Sequence, residues 1–370
     1  MQLSNPHKII ISGGGTGGHI FPAIAIAKAL QKTEPDIELL FVGAVGKMEM
    51  EKIPAAGFKI EGLNIAGIKR ELSIQNLKWP FKLMSSLMKA GKIIDRFQPD
   101  AAVGVGGYAS GPLLYIASGR KIPSLIQEQN SYPGITNKLL AKKVQKICVA
   151  YDKMDRFFPA DKIIKTGNPV RADILIANSK KQEAALFFNL HEEKKTLLIV
   201  GGSQGARTIN RSVLNDLSKL TDAGLQVIWQ TGKVFFDQAK AAVDELKNPA
   251  IIVFEFITRM DLAYAMSDIV IARGGASSVS ELCIVGKPVI LVPLPTAAED
   301  HQTKNCMALV ERNAALMVKD ADAQQLLIQN ALDLFADKEK QKTMKENISK
   351  LAITDAADRI AAEIISMINK

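Results

Sequence analysis

Short apolar, β-rich runs alternate with stretches of helical period along the whole chain. In the first half the runs fall at roughly 8–11, 37–42, 101–105, 124–128, 146–150 and 163–166. In the second they fall at 195–200, 226–230, 251–255, 269–272, 288–292 and 315–318. Segments such as 20–32, 134–142, 207–220, 277–285 and 323–336 fill the gaps with helical patterns. This alternation predicts βαβ units, that is, parallel sheets with helices on both faces. The fold class expected is α/β: two tandem Rossmann-like, doubly wound parallel-sheet domains with a cleft between them.

A length of 370 residues agrees with this, since it is long for one core and natural for two. The boundary is placed near Gly167-Asn168-Pro169, because proline biases Asn168 to an extended conformation. The expected domains are 1–167 and 168–353, and the stretch 354–370, with its helix Ala356 to Ile368, is a candidate to pack back on the first. In such folds ligands bind at the carboxyl ends of the strands.

Glycine-rich turns follow three of the apolar runs. Gly13-Gly14-Gly15-Thr16-Gly17-Gly18-His19 follows Ile9-Ile10-Ile11, Gly104-Val105-Gly106-Gly107-Tyr108-Ala109-Ser110-Gly111 follows Ala101-Ala102-Val103, and Gly201-Gly202-Ser203-Gln204-Gly205 follows Leu197-Leu198-Ile199-Val200. A buried strand that ends in glycines and enters a helix aims free N–H groups, and the positive end of the helix dipole, at whatever lies above the sheet. Phosphate suits such a turn.

Composition narrows the partners. With 47% hydrophobic and 23% charged residues the chain is an ordinary globular protein. A net charge of +9 favours anions such as nucleotides or phospholipid surfaces; nothing resembles an RNA-binding motif or a zinc finger, so no nucleic acid is expected. The cysteines Cys148, Cys283 and Cys306 are widely separated and read as buried, reduced thiols. The chain reaches its first strand within about eight residues, without the regions of a secretory leader. The uncharged run Ala101 to Gly119 is interrupted by glycines and Pro112, so strand, loop and helix are expected there rather than a membrane span.

Gly13, Gly15 and Gly18 fit G-x-G-x-x-G, but the second strand ends Phe41-Val42-Gly43-Ala44 without the acid that would hold a dinucleotide ribose. No Gly-Lys-Ser/Thr follows, so the turn is not a Walker A loop either. His19 opens the helix after it, where the dipole favours the neutral imidazole. It is a general base beside a phosphate site, or else a capping or packing residue. The spacing assigns no carboxylate to it.

In the second half Arg273-Gly274-Gly275-Ala276-Ser277-Ser278-Val279-Ser280-Glu281 is a further strand–glycine–helix junction. Ser278 and Glu281 have capping-box spacing, and Glu281 could equally accept both hydroxyls of a ribose. Pro293-Leu294-Pro295 and Glu299-Asp300-His301-Gln302-Thr303-Lys304-Asn305 read as a binding loop or an ordinary connection. Asp320-Ala321-Asp322 resembles a metal-carrying D-x-D motif, but its place just before a helix favours capping, and no metal is expected.

Taken together, Gly-Gly-Thr-Gly-Gly-His, Gly-Gly-Tyr-Ala-Ser-Gly, Glu128-Gln129-Asn130, Gly167-Asn168-Pro169-Val170-Arg171, Gly201-Gly202-Ser203-Gln204-Gly205 and the Arg273–Glu281 segment resemble the MurG family, in order from about residue 8 to 312. The resemblance implies the glycosyltransferase-B arrangement of the two domains. It also implies inverting transfer of N-acetylglucosamine from UDP-N-acetylglucosamine to the 4-hydroxyl of the muramoyl sugar of lipid I, giving lipid II and UDP, with no cofactor and no metal in the chemical step. By motif, Thr16, Gly17 and Gly18 would touch the donor sugar, with His19 as the base. Asn130 would hold the sugar, and Arg171 and Ser203 would approach the diphosphate. Ile257 would present backbone to uracil, Ala276, Ser277, Ser278, Val279, Ser280 and Glu281 would bind phosphate and ribose, and Gln302 would read sugar hydroxyls, with His301 beside it. Gly106, Gly107, Tyr108 and Glu128 are candidates on the acceptor side. Many relatives carry His where this chain has Gln127, which moves the weight further onto His19.

A lipid acceptor implies work at the cytoplasmic face of the cell membrane as a peripheral enzyme, with cell-wall synthesis proteins as candidate partners. The segment Lys69 to Lys92 mixes Leu77, Trp79, Phe81, Leu83, Met84, Leu87 and Met88 with Lys78, Lys82, Lys89 and Lys92, a basic amphipathic pattern interrupted by Pro80. It fits a surface contact with the headgroup layer, or a helix packed on the first sheet. Other classes share the scaffold: a UDP-sugar transferase with a different lipid acceptor, a UDP-sugar epimerase, and a non-catalytic nucleotide-sugar binder.

Overall fold

The computed structural model describes residues 6–65, 79–202 and 204–369, with only the backbone described at Trp79 and Ala298. The chain divides into two compact units, one of Met1–Arg171 with Asp355–Lys370 and the other of Ala172–Thr354.

The first unit is built on a parallel sheet of β1 (Lys8–Ser12), β2 (Glu38–Ala44), β3 (Lys59–Leu63), β4 (Ala101–Gly104), β5 (Ser124–Glu128), β6 (Lys146–Val149) and β7 (Ile163–Lys165), in the order β3-β2-β1-β4-β5-β6-β7. The second holds β8 (Thr196–Val200), β9 (Gln226–Gln230), β10 (Ile251–Phe254), β11 (Ile269–Ala272), β12 (Val289–Leu291) and β13 (Leu316–Met317), also parallel, in the order β10-β9-β8-β11-β12-β13. Both sheets are doubly wound, as the alternation of runs requires. β3 was not among the strands expected from the sequence. It lies at the sheet edge, and Lys59-Ile60-Glu61-Gly62-Leu63 buries only its last residue fully, so no apolar run marks it. The helix expected over 207–220 is two, Arg207–Asn215 and Leu217–Asp222, parted at Asp216.

Each sheet is sealed on both faces by apolar residues. In the first unit Ile9, Ile11, Phe41 and Val103 face one side and Ile10, Val42, Ala102 and Ile126 the other, the alternation of a pleated strand buried on both faces. The helix Ala356–Ile368 returns to pack on the helix Gly17–Thr33. Its Ile360, Ala361, Ile364 and Met367 join Ile20, Ile26 and Leu30 in one cluster. Lys146 is paired with Glu363 and lies 2.6 Å from the Ser366 hydroxyl, which fixes the helix over the sheet. The three cysteines are free and buried, and burial pushes each thiol up to about 12.

Because Ile364 is fully buried between that helix and the first sheet, Ile364→Ala is expected to lower the stability of the first unit by about 2–4 kcal/mol. Urea unfolding followed by hydrogen exchange should move the first unit's transition and leave the second unit's in place.

Candidate functional site

In the first unit the strand order reverses between β1 and β4, so the loops leaving these two strands stand side by side. They are bonded to each other. The Val105 amide donates to the Ser12 carbonyl at 2.7 Å and the Gly14 amide to the Gly106 carbonyl at 3.3 Å. The Ser110 hydroxyl, buried between them, lies 3.0 Å from the Ser12 carbonyl and 2.8 Å from that of Gly106. Gly107 takes φ +88°, and a Cβ there would stand 2.4 Å from the Gly14 carbonyl oxygen, so no other residue fits.

Thr16 is extended and exposed, and the helix begins at Gly17. Gly17, Gly18 and His19 are half-buried. The His19 Nδ1 lies 2.9 Å from the Gly14 carbonyl oxygen. A carbonyl only accepts, so in the neutral ring Nδ1 carries the proton and Nε2 the lone pair. The ring edge rests on Gly106, whose φ is +98° and whose Cβ would fall 2.7 Å from Nε2.

The carboxyl end of β5 supplies a buried polar knot that the sequence did not announce. The Gln127 side chain donates to the Asn168 carbonyl oxygen Oδ1 at 3.0 Å, Asn168 donates to the Gln129 backbone carbonyl at 3.0 Å, and Gln129 donates to the Val105 carbonyl at 2.8 Å. Asn168 is therefore fastened to the ends of β4 and β5, and Gln127 is a structural amide. Glu128 is 2% exposed and accepts from the Asn130 and Gly134 amides at 2.9 and 3.2 Å and from Asn137 Nδ2 at 2.8 Å. It orders the turn that presents Asn130. Tyr108 is half exposed, and the Arg171 guanidinium stands 5.8 Å over the Phe21 ring.

In the second unit the strand order likewise reverses, between β8 and β11, but the close approach is between the loops that leave β8 and β9. Ser203 lies outside the described residues. Gly205, with φ +76°, comes so close to β9's exit that a Cβ would meet the Thr231 carbonyl oxygen at 1.9 Å. Gln230, the last residue of β9, donates to the Gly202 carbonyl at 2.9 Å and accepts from the Ile257 amide at 2.8 Å. One buried amide thus ties the glycine loop to the loop after β10. The Ile257 side chain is buried. Just beyond, Asp261 is buried and accepts from Arg259 at 2.9 Å and Lys180 at 2.7 Å. These cations hold its carboxyl well below the usual carboxylate range, the Arg259 hydrogen bond first.

At the junction after β11, Gly275 occupies the N-cap and the helix runs Ala276–Val285. Ser278 is therefore inside the helix, so of the two readings of its spacing to Glu281 the capping box does not form; Glu281 accepts from the Tyr264 hydroxyl at 3.1 Å. Val279 and Ala276 are buried, and Ser277, Ser278, Ser280 and Glu281 are half-buried. Arg273 reaches the Val292 carbonyl at 3.1 Å and pairs with Asp320, which also accepts from the Thr208 hydroxyl at 2.8 Å. Asp320 is thus a buttress of the glycine junction; Asp322 of the same segment takes the N-cap of the helix Ala323–Ala336, without a side-chain bond. Among the described residues no group of three or more His, Cys, Asp or Glu is arranged to hold a metal ion. Gln302 accepts from the Leu294 amide at 2.9 Å and so holds the proline loop, while His301 beside it is half-buried at the helix start. Glu299 and Asp300 both take φ near +50°, at 54° and 52°, a strained approach to that helix.

Residues 9–149 match the glycosyltransferase family 28 N-terminal domain and residues 196–360 the glycosyltransferase family 28 C-terminal domain. The UDP-N-acetylglucosamine–N-acetylmuramyl-(pentapeptide) pyrophosphoryl-undecaprenol N-acetylglucosamine transferase of Parabacteroides distasonis is 56% identical over 364 residues, covering 98% of this chain and 99% of that protein. The Cytophaga hutchinsonii protein of the same name is 53% identical over 369 residues, covering 100% and 99%. Among solved structures, Acinetobacter baumannii MurG matches with a TM-score of 0.76 at 26% identity, over 98% of this chain and 99% of that one. The UDP-GlcNAc 2-epimerase of Neisseria meningitidis matches at TM-score 0.69 but 17% identity, over 97% and 100%, a likeness of fold alone.

Asp261 anchors the loop that carries Ile257, and its depressed carboxyl makes a signed prediction. Its stabilisation is complete at neutral pH and is lost as pH falls from about 4 through the folded value. Asp261→Asn should destabilise the second unit by ~2 kcal/mol at pH 7, with the difference from wild type shrinking in urea titrations below about pH 4.

Proposed function

This chain belongs to glycosyltransferase family 28 and to its N-acetylglucosaminyl transferases of the MurG kind, and from that premise we propose how its two glycosyltransferase-B units carry out the reaction. The reaction is transfer of N-acetylglucosamine from UDP-N-acetylglucosamine to the 4-hydroxyl of the muramoyl sugar of lipid I, with inversion. The observation that carries it is the near-complete coverage of named relatives at more than half identity. The geometry supports the roles proposed for individual residues.

In the first unit Nε2 of His19 is the acceptor nitrogen, because Nδ1 is committed to the Gly14 carbonyl. Nε2 takes the proton of the acceptor hydroxyl as its oxygen bonds to the anomeric carbon. The bond from that carbon to the donor phosphate breaks, and its electron pair leaves with UDP. Thr16, Gly17, Gly18 and Asn130 contact the transferred sugar, with Gly106, Gly107 and Tyr108 toward the acceptor, and Glu128 acting through the turn it orders. In the second unit the amides opening the helix Ala276–Val285 receive phosphate, with Ser203 adding to the diphosphate site. Arg171, at the end of the first unit, is assigned to the diphosphate by its motif. Glu281 accepts the ribose hydroxyls, the backbone at Ile257 meets uracil, and Gln302 and His301 read the sugar.

The acceptor is a membrane lipid, and the helix Trp79–Phe97 favours a peripheral contact on the cytoplasmic face. Ala90, Ile93 and Ile94 bury against the first sheet, while Phe81, Met84 and Met88 are exposed by 79, 59 and 59% beside Lys82, Lys89 and Lys92. Pro80 stands in the first described turn of this helix, where a missing N–H costs nothing. Residues 69–78 of the basic segment lie outside the described residues. No helix among the described residues is long and apolar enough to cross a membrane.

UDP release from UDP-N-acetylglucosamine should depend on a short-chain lipid I analogue and persist in chelator. In His19→Ala it should fall at least about 100-fold with donor binding intact; lost donor binding would make His19 structural, and release without lipid would point to another acceptor. Replacing Phe81, Met84 and Met88 together by Ser should weaken binding to anionic liposomes by about tenfold or more and leave donor binding unchanged. Unchanged liposome binding would remove this face as the contact.

A further inference from the structure

Glu49 is 1% exposed, one of the most deeply buried carboxyl groups of the first unit, and the roles above do not use it. Its surroundings are shaped for it. A Cβ on Gly14 would fall 2.2 Å from its Oε1, and a Cβ on Gly43 would fall 2.5 Å from its Cγ, so two glycines clear its path from the helix Glu49–Ala55 into the loop. Its Oε1 accepts from the Ala44 amide at 3.0 Å and its Oε2 from the Gly15 amide at 2.8 Å. Both oxygens accept, as those of an ionised carboxylate do.

The Gly15 amide belongs to the same peptide group as the Gly14 carbonyl. That carbonyl accepts from His19 Nδ1 at 2.9 Å. One peptide plane is therefore held from its N–H side by a carboxylate and from its C=O side by the imidazole. A negative charge on the N–H draws electron density toward the carbonyl oxygen and strengthens it as an acceptor, the cooperative polarisation of a hydrogen-bond chain. We propose that Glu49 is a positioning residue for His19, acting through the Gly14–Gly15 peptide as the acid of a base–acid pair with one peptide group interposed. The carboxylate fixes the proton on Nδ1, turns Nε2 outward as the acceptor and favours the imidazolium that forms when the acceptor hydroxyl is deprotonated. The catalytic part of this rests on the proposed role of His19; the tautomer part does not.

The test separates the two. Full-length protein labelled with ¹⁵N-histidine contains four histidines, and His19→Ala assigns the signal. Wild type should show His19 as the Nδ1–H tautomer above its titration. Glu49→Gln, which keeps the shape and removes the charge, should mix the tautomers and lower kcat about tenfold or more, with the KM for UDP-N-acetylglucosamine within about twofold. Glu49→Asp should recover part of the tautomer preference. An Nε2–H tautomer in wild type overturns the proposal whether or not the variants fold. A Glu49→Gln protein with reduced stability and an unchanged tautomer overturns it too, leaving Glu49 a packing residue. The expected tautomers without any lipid-dependent turnover would leave the relay standing and defeat the proposed reaction instead.

Discussion

Everything at the two sites depends on how closely main chain approaches main chain at the ends of the strands. β1 and β4 in one unit, and β8 and β11 in the other, run side by side and send their loops in opposite directions. At Gly107 against Gly14, and at Gly205 against Thr231, the peptide groups meet with no room for a single carbon between them. A side chain there would force the loops apart by more than an ångström and carry the bonded amides with it. The glycines are therefore not slack in the chain. They let peptide groups serve as rigid walls from which other peptide groups are displayed.

Rigid display needs the remaining polar atoms of each loop to be satisfied, and buried side chains do this. Gln127, Gln129 and Asn168 bind the strand ends of the first unit, and Gln230 binds Gly202 to Ile257 in the second. Each such bond adds only about 1 kcal/mol net, but an orphaned buried amide costs about 1–3 kcal/mol, so the loops are held more by what loosening would leave unpaired than by the bonds themselves. Gln127 shows the same logic: it is a buried anchor whose amide donates to Asn168.

The strands and glycine turns were legible because they obey two periods and one exception. Fully buried parallel strands read as apolar runs, and the turns that follow break them with glycine. β3 escaped because an edge strand half exposed to water carries no such run. The anchors escaped for a different reason. Gln230, Gln127 and Glu49 are single polar residues, distant in sequence from what they hold, with 27 residues between Gln230 and Ile257 and 34 between Glu49 and Gly15. Local spacing could not decide at Ser278 and Glu281, where a capping pattern is present but the helix starts two residues earlier than Ser278, and it gave no sign that Asp320 pairs with Arg273, 47 residues away. What could have flagged the anchors is a polar residue ending an otherwise apolar strand, as Gln127-Glu128 and Gln230 do. Glu49 offers no such sign.

The anchors also differ in charge in a way that fits what each loop does. The glycine loop of the second unit is braced by Gln230, a neutral group. On the proposed function this loop and the helix after Gly275 face a diphosphate, and a buried carboxylate behind those amides would cancel the positive field they present. Asp320, which does enter the base of that junction, comes paired with Arg273 and bonded to Thr208, so its charge is neutralised locally. The loop of the first unit is braced by Glu49, a carboxylate. There the group to be favoured is a developing imidazolium, and a negative charge one peptide away favours it. On the proposed roles, the two glycine loops are thus tuned for opposite charges by the identity of one buried side chain behind each.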